Sequence, residues 1–89
     1  MIANEVSYEG RVQGVGFRYS VKELAKGFDV VGWVKNLPDG RVLLTVQGDK
    51  TEIGEFLESI LDSHLRAHID RHIIREIPLS PKLRGFEIR

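Results

Sequence analysis

The sequence contains no cysteine. This absence excludes disulfide bonds, catalysis by a thiolate and zinc sites built on thiolates. Long apolar runs are also missing, because no segment approaches the roughly 18 apolar residues that a membrane-spanning helix needs. The N-terminus lacks a basic region followed by an apolar stretch, which is the pattern of a secretory signal. We therefore expect a cytoplasmic protein that has no membrane partner.

An excess of charge of either sign is missing as well. The 13 basic and 13 acidic residues cancel, which argues against a protein that binds nucleic acid through a broad basic face. One local basic pocket is compatible with this balance. The length of 89 residues predicts a single domain, 1–89, with one modest core, and we expect a monomer.

Glycine is concentrated in segment 10–18, where a strand-like alternation gives way to helical spacing. Gly14 and Gly16 flank a single residue, and glycines allow positive φ angles and the close approach of another molecule. Successive backbone N–H groups in such a turn, followed by a helix N-terminus, favour an anion. Arg18 would lie in the first helical turn, where a cation is unfavourable unless an anion binds beside it. The segment therefore predicts a cradle for a phosphoryl group, and the alternative is a plain strand-to-helix turn.

The spacing of apolar residues predicts the element order β-α-β-β-α-β. Alternation indicates strands at 6–12, 30–37, 42–47 and 69–77, and helical spacing indicates helices at 17–28 and 49–61. A short fifth strand is expected at 85–89. Two split β-α-β units of this kind form an α+β ferredoxin-like sandwich, which is an antiparallel sheet with two helices on one face.

Local signals also predict how these elements end. Leu37-Pro38-Asp39-Gly40 indicates a tight turn between the second and third strands. We expect an αL residue within 27–29 to end the first helix. Asp49 and Glu52 have the spacing of a capping box at the start of the second helix.

A second motif follows the cradle after one helix and reads Gly32-Trp33-Val34-Lys35-Asn36-Leu37-Pro38-Asp39-Gly40-Arg41-Val42. Together with Gly10-Arg11-Val12-Gln13-Gly14-Val15-Gly16-Phe17-Arg18, it resembles the acylphosphatase family. The resemblance covers residues 6–48 and, more weakly, 85–88. The family's ferredoxin-like fold agrees with the predicted order of elements.

The resemblance implies specific roles in the cleavage of a carboxylic–phosphoric mixed anhydride to a carboxylate and inorganic phosphate. Arg18 would bind the substrate phosphate together with backbone N–H groups, which belong to Gln13, Gly14, Val15, Gly16 and Phe17. Asn36 would orient the attacking water, since an amide offers both a donor and an acceptor. Considered alone, an asparagine before Leu37-Pro38 is also a common turn residue. A metal-independent hydrolase without a cofactor is implied, acting on a small-molecule acyl phosphate.

Two other patterns suggest competing sites. His64, His68 and His72 are four residues apart and would bind a metal if one continuous helix carried them. Because 69–77 predicts a strand, we expect solvated histidines and no metal site. Tyr8 and Trp33 would suit base stacking on a sheet, but segment 41–47 has no aromatic residue. We therefore expect Trp33 to pack beside the site and no nucleic-acid partner.

A different class of function stays open at this point. The cradle would equally serve a binding module that holds a phosphoryl compound without turnover. An accessory domain that handles carbamoyl phosphate is one such module. Release of phosphate from an acyl phosphate separates the two functions.

Overall fold

Strands and helices follow one another in the predicted order. The structure, a computed structural model, describes residues 1–89. Its elements are β1 (Ile2–Gly10), α1 (Phe17–Ala25), β2 (Val30–Asn36), β3 (Val42–Gly48), α2 (Lys50–Leu61), β4 (Ile69–Ile77) and β5 (Phe86–Ile88). A short 3₁₀ helix, His64–His68, connects α2 to β4. None of the helices combines the length and the apolar character needed to cross a membrane.

The five strands form one sheet in the order β4-β1-β3-β2-β5. β1 pairs antiparallel with β3 and β4, and β3 pairs antiparallel with β2. The ferredoxin-like α+β fold is thereby confirmed. The sheet as a whole is mixed, because β5 pairs parallel with β2. The chain leaves β4 at one edge, crosses the sheet and joins the opposite edge, and such a crossover is what a parallel pairing requires.

Apolar side chains of the helices and the sheet meet in one core. Each strand turns alternate residues towards the helices, so Val6, Tyr8, Leu44 and Val46 are at most 1% exposed. The core cluster consists of Val6, Tyr8, Val12, Phe17, Val21, Ala25, Val34, Val42, Leu44, Val46, Ile53, Phe56, Leu57, Ile60 and Leu65. Because Val12 and Phe17 belong to it, the core fixes both ends of the glycine-rich segment.

The end of α1 differs from the local signal. The helix ends at Ala25, and no residue within 27–29 has a positive φ. Instead, three successive backbone N–H groups donate to the carbonyl three residues earlier, and they belong to Lys26, Gly27 and Phe28. The predicted αL cap is therefore wrong. Hydrogen bonds of the 3₁₀ type, between residues three apart, satisfy the last carbonyls of the helix instead.

The start of α2 also differs from the local signal. Asp49 precedes the helix, but its side chain accepts no hydrogen bond there. The carboxylate of Glu52 accepts a hydrogen bond from the backbone N–H of Asp29, with an N···O distance of 2.7 Å. The predicted capping box is wrong because Glu52 satisfies a donor in the α1–β2 loop, which the fold brings close. The second helix ends at Leu61 as expected.

One side chain fastens the crossover between β4 and β5 to the sheet. Gln47 lies on the polar side of the alternation in β3 yet is only 9% exposed. Its Nε2 donates to the carbonyl of Ser80 at 3.1 Å, and its Oε1 accepts from the N–H of Ser80 at 2.8 Å. Both partners are backbone groups. The side-chain amide therefore makes the pair of hydrogen bonds with this loop that a neighbouring strand would otherwise make.

We expect Gln47→Met to lower the free energy of unfolding by about 1–2 kcal/mol, because both backbone groups of Ser80 lose their partner. In a chain of this size such a loss lowers the melting temperature by about 4–8 °C per kcal/mol. Ser80→Ala is the matched control, since it keeps the backbone groups that Gln47 uses. Thermal and urea unfolding measure both variants, and equal stability of Gln47→Met and the native chain would contradict the proposed fastening.

Candidate active site

A concavity of about 200 Å³ lies where the β1–α1 segment meets the end of β2. It is lined by Val12, Gly14, Gly16, Phe17, Arg18, Tyr19, Asn36 and Ile88. The structure thus brings the two motifs together, with Arg18 from one and Asn36 from the other. Gln13 and Val15 belong to the same segment but do not line this concavity.

Positive φ angles shape the wall formed by the glycine-rich segment. Gly14 has a φ of 78° and Gly16 a φ of 76°, and L residues with a side chain rarely adopt such values. A β-carbon at either position would meet no atom within 4 Å. The glycines are therefore required for backbone conformation, and the space around them is open to a ligand.

The backbone N–H groups of this wall have no partner within the protein. None of those from Gln13 to Phe17 donates to a carbonyl or a side chain, and the first bond beyond them runs from Ser20 to Gly16. α1 starts at Phe17 without a side-chain cap, so its own N-terminal N–H groups are also free. Because backbone donors need a partner and the helix dipole is positive here, the wall is suited to an anion.

Arg18 supplies the only charge among the residues that line the concavity. Its Nη1 donates to the backbone oxygen of Arg89 at 2.9 Å, and its other N–H groups have no partner in the protein. Arg89, the residue after β5, therefore holds the guanidinium of Arg18, which is the second residue of α1. No acidic side chain lines the concavity, so Arg18 and the N-terminus of α1 favour an anion there.

Asn36 is the last residue of β2 and pairs with Val42 of β3. Its Oδ1 is the one buried side-chain oxygen or nitrogen in the structure that has no hydrogen-bond partner. A buried acceptor without a donor is costly, and a functional role is a common reason for keeping one. Asn36 itself is among the residues that line the concavity.

The side chain of Gln13 has a position that the sequence did not indicate. Its Nε2 donates to the carbonyl of Leu37 at 2.8 Å and to that of Arg41 at 3.0 Å. These carbonyls belong to the turn that directly follows Asn36. A signal was present, because Gln13 is the one side-chain amide within the glycine-rich motif.

The predicted turn after β2 is present and is held by further bonds. The N–H of Gly40 donates to Leu37 at 3.1 Å, and the N–H of Leu37 donates to Arg41 at 2.8 Å. Asp39 accepts from the backbone N–H of Arg41 and pairs with its guanidinium at 2.8 Å. These hydrogen bonds, the backbone one first, lower the pKa of Asp39, so the turn keeps this charge at neutral pH.

The three histidines lie on two different elements. His64 and His68 belong to the 3₁₀ helix, whereas His72 belongs to β4. His64 lies 3.3 Å from the hydroxyl of Ser20, and the ring of His72 stacks on Tyr8 with centroids 6.2 Å apart. No group of three or more His, Asp or Glu side chains is placed to hold a metal ion. The helical histidine face that a metal would need is thus not formed.

The two aromatic residues considered for base stacking have other surroundings. Tyr8 is buried, and its ring packs against Phe17 with centroids 5.2 Å apart. Burial raises the pKa of Tyr8, so its phenol stays neutral. Trp33 carries two cations over its ring, Lys35 at 5.2 Å and Arg89 at 5.0 Å. Trp33 therefore packs against the residue whose carbonyl receives the Arg18 hydrogen bond.

Two curated relatives of the chain carry the same name. A protein named Acylphosphatase from Rubrobacter xylanophilus is 40% identical over 84 residues, which cover 94% of this chain and 76% of the relative. An Acylphosphatase from Acaryochloris marina is 49% identical over 49 residues. That match covers 55% of this chain and 53% of the relative, so it spans about half the length of each.

Two solved structures have the same fold as this chain. The crystal structure of acylphosphatase from Bacillus subtilis superimposes with a TM-score of 0.90 at 31% identity, covering 100% of this chain and 99% of the other. The crystal structure of HypF from T. kodakarensis superimposes with a TM-score of 0.85 at 34% identity. This chain is covered fully in that match but corresponds to only 12% of HypF.

A family model covers nearly the whole chain. The model described as Acylphosphatase matches residues 4–88, which include the cradle, Asn36 and β5. The protein therefore belongs to the acylphosphatase family.

Proposed function

We propose that this chain hydrolyses acyl phosphates to a carboxylate and inorganic phosphate by in-line attack of a positioned water. One observation carries the proposal: the free backbone N–H groups of Gly14, Gly16 and Phe17 share a concavity with Arg18 and the side chain of Asn36. The first two suit a phosphoryl group, and the third suits a water molecule. A phosphoryl group beside a held water is the arrangement that hydrolysis requires.

The glycine-rich wall and Arg18 bind the phosphoryl oxygens. Phosphoryl transfer passes through a loose transition state in which charge is spread over three equatorial oxygens. Donors fixed before the reaction stabilise that charge without reorganisation. Gly14 and Gly16 leave the N–H groups accessible, and the guanidinium adds donors with the fork geometry that matches phosphate.

The side-chain amide of Asn36 hydrogen-bonds to the attacking water and orients the water's lone pair towards phosphorus. A new bond forms between the water oxygen and phosphorus while the bond from phosphorus to the acyl oxygen breaks. The carboxylate leaves with that electron pair, and it is a good leaving group that needs no general acid. The proton lost by the water passes to an oxygen of the substrate's own phosphate, in agreement with the lack of a carboxylate or histidine in the lining.

The alternative is a module that binds a phosphoryl compound without turnover. The similarity to a segment of the much larger HypF favours it, because such a segment acts within another protein. Phosphate release from benzoyl phosphate and acetyl phosphate, measured with and without a chelator, separates the two. Turnover that survives the chelator supports the metal-independent hydrolase, and saturable binding without turnover supports the module.

The proposal extends to the chain as a unit. We place the activity in one domain, 1–89, that acts as a monomer in the cytoplasm on a small-molecule substrate. The single core cluster and the family match over 4–88 support the assignment of one domain. Light scattering of the purified chain tests the monomeric state, and fractionation of cells that express it tests the location.

Arg18→Lys tests whether the fork of the guanidinium is needed. The variant keeps a cation but loses two-point contact with phosphate, and we expect turnover of benzoyl phosphate to fall by about 10²-fold or more. Inhibition by inorganic phosphate should weaken as well. Arg84→Lys is the matched control, because Arg84 is exposed and makes no ion pair. Native kinetics in Arg18→Lys would remove this residue from the mechanism.

Asn36→Ala tests the positioning of water separately from phosphate binding. Turnover should fall by roughly 10²-fold, since misplacement of a reacting group costs that much, whereas phosphate should inhibit with nearly native affinity. Because the lost Oδ1 has no partner, we expect the variant to melt no lower than the native chain. Asn4→Ala, at the other end of the sheet, is the control for loss of an amide.

Asn36→Asp sharpens this test. The carboxylate keeps the shape of the amide but places an anion near an anionic substrate, so both turnover and phosphate affinity should fall. Catalytic constants and the phosphate inhibition constant are measured together. If Asn36→Ala loses phosphate binding as fully as an Arg18 variant, Asn36 belongs to the cradle; if it hydrolyses substrate at the native rate, it does not position the water.

A further inference from the structure

Gln13 joins the two halves of the site through its side chain. Its backbone lies in the glycine-rich segment, between the buried Val12 and Gly14, while its side-chain amide reaches the turn after β2. We propose that Gln13 is a positioning residue that fixes the distance between the phosphate cradle and the amide of Asn36. This inference rests on the proposed function, because it concerns how the water-orienting residue is held.

The two hydrogen bonds use both protons of one amide nitrogen. One goes to the carbonyl of Leu37 and the other to that of Arg41, at 2.8 and 3.0 Å. Leu37 is the residue next to Asn36, and Arg41 lies across the turn and accepts the N–H of Leu37 as well. The amide therefore holds both sides of the turn at once, which fixes the direction of the turn as well as its distance.

No other hydrogen bond performs this connection. Among all backbone and side-chain hydrogen bonds, those of Gln13 alone join segment 11–16 to segment 37–41. The two segments are otherwise held by separate means, the first by Val12 and Phe17 in the core and the second by its own turn bonds. Without the side chain of Gln13, we expect each segment to keep its conformation while the distance between the two segments varies more.

This distinction has a kinetic consequence. Phosphate binding needs the cradle N–H groups and Arg18, which Gln13 does not touch through its side chain. In-line attack also needs the water at a fixed place relative to phosphorus, and a shift of about 1 Å can cost about 10²-fold in rate. Loss of the Gln13 bonds should therefore reduce kcat while phosphate affinity is retained.

Gln13→Met is the direct test, since methionine keeps the approximate size of the side chain and removes both donors. We expect kcat for benzoyl phosphate to fall by about tenfold or more, with the phosphate inhibition constant within about twofold of native. Gln13→Ala is the second variant, and both are measured below their melting temperatures. Native kcat in both variants overturns the inference, and so does a loss of phosphate binding equal to the loss of kcat.

Gln47→Met is the matched control for Gln13→Met, because the same substitution is made at a different place. It also removes an amide that donates to a backbone carbonyl over a long sequence separation, but at the end of β3 away from the site. We expect its stability to fall and its kcat to stay within about twofold of native. An equal fall of kcat in Gln47→Met and Gln13→Met would assign the effect to stability alone and overturn the inference.

A double-mutant cycle shows whether Gln13 acts through Asn36. In the Asn36→Ala background there is no amide to position, so Gln13→Met should change kcat by no more than about twofold. The same fall in both backgrounds overturns the inference. Its failure is separable from that of the proposed function, because native chain that releases no phosphate rejects the hydrolase itself. An active chain in which Asn36→Ala is impaired and Gln13→Met is native rejects only the role of Gln13.

Discussion

Backbone N–H groups without a carbonyl partner are the constraint on which this site depends. The fold leaves those from Gln13 to Phe17 free, at a place where the N-terminus of α1 adds a positive field. Free donors are costly unless water or a ligand receives them, so the segment must stay at the surface while its ends are held. Val12 and Phe17 hold it from the core, and the conformation between them requires glycine at 14 and 16.

The site lies at one end of the sheet, and three different segments of the chain contribute to it. The β1–α1 segment offers donors, β2 ends at Asn36, and Arg89 after β5 supplies the main-chain oxygen that holds the Arg18 guanidinium. The buried oxygen of Asn36 has no hydrogen-bond partner, and such a group lowers the stability of the fold. Functional sites often keep features that cost stability.

Strands, helices and the turn could be predicted because their signals are local. Alternation in β3 and helical spacing in α2 reflect which side chains face the core, and Pro38, Asp39 and Gly40 carry turn chemistry of their own. Helix ends were less predictable. Glu52 had the right spacing for a cap but lies close to the N–H of Asp29, and no property of 49–52 shows that this donor is near. The parallel pairing of β5 likewise depends on a crossover.

The sequence by itself indicated the parts of the proposed site, because the backbone freedom of glycine and the functional groups of arginine and asparagine belong to the residues themselves. These parts are Gly14, Gly16, Arg18 and Asn36. Only the tertiary structure decided what holds them. Gln13 reaches a main-chain oxygen 24 residues away, Gln47 one 33 residues away, and Arg18 one 71 residues away. These acceptors are main-chain oxygens, which every residue carries, so the identity of the partner residue leaves no pattern in the sequence. Their selection follows from the order of strands in the sheet, which brings distant backbone segments within hydrogen-bonding distance.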